Sequence, residues 1–76
     1  MSATILQFLR AGHDLFDPDV TRIMDEAFNA ACQQLGDLTD GEREIIAGRI
    51  IETAKRGERD LTRLRGIGIQ AVSQRR

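Results

Sequence analysis

Seventy-six residues allow one small domain, and a chain this short is marginally stable unless it is cross-linked, tightly packed or oligomeric. One cysteine, Cys32, excludes an internal disulfide, and Cys32 with the one histidine, His13, cannot make up a Cys/His zinc site. The net charge of −1 divides unevenly: two basic and six acidic residues up to Leu38, then nine basic and six acidic from Thr39 onward. This dipolar distribution hints at a charged partner surface or at attraction between the two halves.

The balance of apolar and charged residues is that of a globular chain rather than a disordered one. No apolar run approaches the roughly 20 residues that span a membrane. The start, MSATILQFLRAG, lacks the basic region of a secretion signal. The expected setting is the reducing cytoplasm, with no membrane association.

Residues 1–15 form an N-terminal segment, either flexible or briefly helical. Ile5 and Leu9 share a face if a turn forms, but no cap precedes them, and short isolated helices are marginal. Gly12 to Asp17 reads as a connector. Residues 16–73 form the helical domain.

Asp17-Pro18 is a helix start: Asp accepts from free backbone N–H groups, and Pro fits the first turn. Val20, Ile23, Met24, Ala27, Phe28, Ala31 and Leu35 then make one amphipathic stripe, and Gly36 ends it. Thr39 and Glu42 match a capping box. The helix that follows carries Ile46, Ala47, Ile50, Ile51 and Ala54 on one broad face and stops at Gly57. Glu52 and Arg56 stand at ion-pair spacing on the other side, where Ile45 breaks the polar pattern. A lone exposed Ile is ordinary, yet it also offers a dock for the N-terminal segment or a second subunit.

Asp60 caps a third helix with Leu61, Leu64, Ile67, Gly68, Ala71 and Val72 on one side. Gly66 and Gly68 each weaken it by roughly 1 kcal/mol relative to Ala, so packing must hold it. Gly68 lies mid-face, where a missing side chain lets another helix come close.

The expected fold is all-α: helices over 18–35, 40–56 and 61–72, the first two an antiparallel pair with the third across them. The expected core is Val20, Ile23, Met24, Ala27, Phe28, Ala31, Leu35, Ile46, Ile50, Ile51, Ala54, Leu61, Leu64 and Ala71.

Catalysis is poorly supported. No motif joins His13 to Cys32; Asp14, Asp17, Asp19 and Asp37 lack calcium-loop spacing; and Gly66-Ile67-Gly68 follows no strand, as a phosphate loop would. No enzyme activity, cofactor, metal or small-molecule ligand is inferred. The default reading is a protein-interaction or self-association module, a homodimer in the first instance. Ile5, Phe8, Leu9 and Ile45 are its candidate interface residues, and clustered exposure of such residues would mark a partner site. The alternative is a small nucleic-acid-binding regulator. Its second and third helices would be joined as in a helix-turn-helix, with Arg59, Arg63 and Arg65 facing phosphate. Against it stand the pI near 5.7 and the acids Glu58 and Asp60 inside that patch.

Phe16-Asp17-Pro18, Arg49-Ile50-Ile51-Glu52 and Gly57-Glu58-Arg59-Asp60 together resemble a group of short uncharacterised helical proteins from bacteria, over roughly Phe16 to Leu64. The resemblance implies a small bacterial cytoplasmic helical protein. It brings no activity, cofactor or site residue with it.

Overall fold

The chain folds around its third helix. In a computed structural model, which describes residues 5–9 and 16–74 apart from the Leu6 side chain, three α-helices follow one 3-10 turn. They are α1 (Pro18–Leu35), α2 (Asp40–Lys55) and α3 (Leu61–Ser73), and no strand occurs among the described residues. α1 and α2 each pack more extensively on α3 than on each other. α1 and α2 contact each other as expected, and both converge on the third.

Each helix starts and stops for a local reason. Thr39 and Glu42 form the reciprocal box: Thr39 Oγ1 accepts from the Glu42 N–H at 3.1 Å, and Glu42 Oε1 accepts from the Thr39 N–H at 3.0 Å. Asp60 Oδ1 accepts from the Thr62 N–H at 2.9 Å. Asp17 departs from expectation. It occupies the cap position in extended geometry, but its carboxylate makes no capping bond. Its backbone carbonyl accepts instead from the N–H and hydroxyl of Thr21, at 2.9 and 3.2 Å. Gly36 and Gly57 end α1 and α2 with φ of 84° and 107°, a region that L side chains rarely enter. Glu52 and Arg56 stay exposed, and among the described residues their link is a backbone one, Arg56 N–H to Glu52 carbonyl.

The core is continuous. Met24, Ala27, Phe28 and Ala31 come from α1, Ile46, Ala47, Ile50, Ile51 and Ala54 from α2, and Leu64 and Val72 from α3. Val20, Ile23, Leu35 and Leu61 flank it half-buried rather than sitting inside. α3 is turned slightly from its expected setting, so Val72 is fully buried where Ala71 was expected, and Ala71 is half-buried. Gly68 sits at the closest approach. A Cβ there would lie 2.9 Å from Ile46 Cγ2 and 3.2 Å from Ile50 Cδ1, so only glycine lets α3 lie this near α2.

Residues 5–9 of the N-terminal segment belong to this core. Ile5–Phe8 is a single 3-10 turn, shorter than the helix considered from sequence. Ile5 is wholly buried, and its N–H donates to Asp25 Oδ1 at 3.0 Å. The Phe8 ring lies 5.6 Å from that of Phe28, tilted by 56°, a favourable aromatic arrangement. The connector from Gly12 to Leu15, and Arg75 and Arg76, lie outside the described residues.

Candidate functional site

Four apolar residues are candidates for partner contact, and the fold separates them. Ile5 is enclosed by its own chain, so it offers no surface. Phe8 and Leu9 are half-buried on the core. Ile45 rests on the core with one side and lines an open groove with the other.

That groove runs between α2 and α3. It measures about 350 Å³ and is walled by Ile45 and Arg49 from α2 and by Ile67, Gln70, Ala71 and Gln74 from α3. Ile67 was placed on the apolar side of α3 but not in the expected core; it is half-buried and stands outside the core cluster, whereas Ile69, placed on neither, packs against the core. The buried arc runs through Leu64, Gly68 and Val72; Ile67 and Ile69 project about 100° to either side of Gly68, and only the Ile69 side meets the core.

A second hollow, about 590 Å³, lies along the outer side of α3 and shares Ile67 and Gln70 with the groove. Gly66 forms part of its lining, and a Cβ placed there would meet nothing within 4 Å. Gly66 has an ordinary helical φ. Neither its backbone nor its packing within the chain therefore requires glycine. Arg63, Gly66, Gln70 and Ser73 share one exposed face of α3, but the sequence alone does not say whether anything packs on it.

The arginines of the alternative reading are placed differently from one another. Arg59 Nη1 donates to the carbonyls of Ala54 and Glu58 at 2.7 and 2.8 Å, which ties down the end of α2. Arg63 Nη1 lies 3.7 Å from Glu58 Oε1. Arg65 is half-buried on α3. Glu58 also accepts from the N–H groups of Arg59 and Asp60, at 3.1 and 3.3 Å. Much of the charge at this corner thus builds the α2–α3 turn.

Cys32 is half-buried on the flank of α1, and burial pushes its thiol pKa up, with the Arg43 guanidinium partly opposing. A thiol held protonated is a weak nucleophile. His13 lies outside the described residues. Among the described residues, no group of three His, Cys, Asp or Glu side chains is arranged to hold a metal ion, and no helix is long and apolar enough to cross a membrane. Compared with known proteins, the chain matches no family model, no curated protein and no solved structure.

Proposed function

We propose that this chain is a non-enzymatic interaction module that works by protein contact, in the first instance with a second copy of itself. The observation that carries the reading is Ile67: an apolar side chain that the core does not use, facing Ile45 across an open groove. A small domain gains stability by covering such a surface. The net charge of −1 adds support, since near-neutral chains repel each other little. The proposal sets the chain in the bacterial cytoplasm, in keeping with its one unpaired thiol.

The test is a pair of charge insertions, Ile67→Glu and Ile45→Glu, each compared with the unaltered chain by light scattering. Both sites are half-buried edges rather than core, so the helical circular dichroism signal should persist while association is lost. Retained association in both variants would contradict the proposal. Removing the first 12 residues is a poor substitute, because it also removes Ile5 from the core.

A further inference from the structure

From the outer face of α3 we infer a specific mode of self-association: two copies packed α3 against α3, antiparallel, across Gly66. The inference rests on the self-association reading and adds its geometry. Helix–helix packing seats a side chain in a hole formed by four residues of the facing helix. Arg63, Gly66, Ile67 and Gln70 surround one such hole, and Gly66, Ile69, Gln70 and Ser73 surround the next. All of them, together with Glu58, line the same hollow on the outside of α3.

Gly66 leaves the middle of this shallow, open hollow without a side chain. Mid-helix glycine costs roughly 1 kcal/mol relative to Ala, and nothing inside the chain requires it here. Gly68, about half a turn around the helix, is explained by Ile46 and Ile50; Gly66 is explained by a close approach from outside.

Charge and symmetry identify the occupant and its direction. A parallel pair would set Arg63 against Arg63. An antiparallel pair places Arg63 of each copy beside the last turn of α3 in the other, whose carbonyl groups carry partial negative charge. That last turn has no basic residue of its own. Arg63 is free to move there, since it is 74% exposed and its contact with Glu58 is long at 3.7 Å. The antiparallel arrangement also sets Ile67 beside Ile67 on one flank of the seam, whereas the two Ile69 residues, each three positions from Gly66, stand about 9 Å apart along the axis on the other. Each side of the contact thus matches itself, as a twofold interface demands.

Area decides how far the contact spreads. A stable interface takes about 800 Å² from each partner, roughly one sixth of the 5093 Å² surface of this chain. α3 is 13 residues, about 20 Å, and its outer face alone falls short. The adjoining groove, which shares Ile67 and brings in Ile45, must join the seam. The expected dimer is therefore weak and dilution-sensitive.

The experiment is a dilution series by sedimentation equilibrium on the full chain and on Gly66→Gln and Gly48→Gln. Both glycines are exposed in mid-helix with open space around them, so both variants gain helix propensity and should fold. Gly66→Gln should raise the dimer dissociation constant by about tenfold or more, the scale of overfilling a packed contact, while Gly48→Gln leaves it unchanged. An unchanged constant in Gly66→Gln, or an equal rise in both, would overturn the α3 seam and leave self-association standing. A chain monomeric at every attainable concentration would overturn both. Direction is read separately by oxidising Ile67→Cys in a Cys32→Ala background. A disulfide-linked dimer supports the antiparallel seam, and a dimer that does not cross-link overturns it.

Discussion

Two glycines two positions apart in α3 have opposite roles. Gly68 is filled around: its absent Cβ would press on Ile46 and Ile50 at 2.9 and 3.2 Å. Gly66 faces open space. In urea unfolding of the dilute chain, Gly68→Ala should therefore lower stability by about 1–2 kcal/mol, overpacking outweighing the helix gain. Gly66→Ala should raise it by up to about 1 kcal/mol. The role of Gly68 was legible in the sequence, because it lies at the centre of an apolar face. The role of Gly66 was not, because an exposed glycine looks the same whether or not something docks against it. Cys32 gives a pH signature. Burial favours its neutral thiol, so its folded pKa lies above the ordinary 9.0, Arg43 opposing in part. That contribution to stability is full below pH 9 and is lost as pH rises through the folded pKa. The unaltered chain should thus lose stability relative to Cys32→Ala only on the alkaline side, as read by unfolding midpoints in buffers from neutral to above pH 9.

Helix limits were the most legible feature at the scale of the element. Observed spans of Pro18–Leu35, Asp40–Lys55 and Leu61–Ser73 follow the Pro, capping-box and glycine signals to within a residue. Local chemistry fixes such ends, so local sequence reveals them. The strength of each cap is another matter, since Thr39 makes its bond and the Asp17 carboxylate does not. Thr39→Ala should cost about 1 kcal/mol and Asp17→Ala distinctly less, as compared by thermal unfolding. The N-terminal turn was the least legible element. Its anchor is a hydrogen bond from Ile5 to Asp25, 20 residues away, together with the Phe8–Phe28 contact. No periodicity within residues 5–9 encodes either. Ile5→Ala should cost about 2–4 kcal/mol, the range for truncating a wholly buried aliphatic side chain.

The whole molecule has an inside and, on the self-association proposal, a surface left for a second copy to cover. Three helices and the N-terminal turn enclose a core from Ile5 to Val72, and the chain reaches a radius of gyration of 11.2 Å, about the value for a folded domain of this length. That surface is the side of α3 where Ile67 and Gly66 meet the groove at Ile45. Fold class was readable from the sequence because three separate apolar stripes permit little else. The surface was only partly readable: Ile45 stood out against polar neighbours, whereas Ile67 was hidden by a run of apolar residues that continues to Ile69. Which of them turned inward depended on the rotation of α3, and that is set by Gly68 packing on α2. Self-association through this surface is the central claim, and the solution mass of the unaltered chain tests it most directly. Light scattering across a dilution series should give twice the chain mass of 8.5 kDa at high concentration, falling to the single-chain value on dilution. A mass of 8.5 kDa at every concentration would contradict the account.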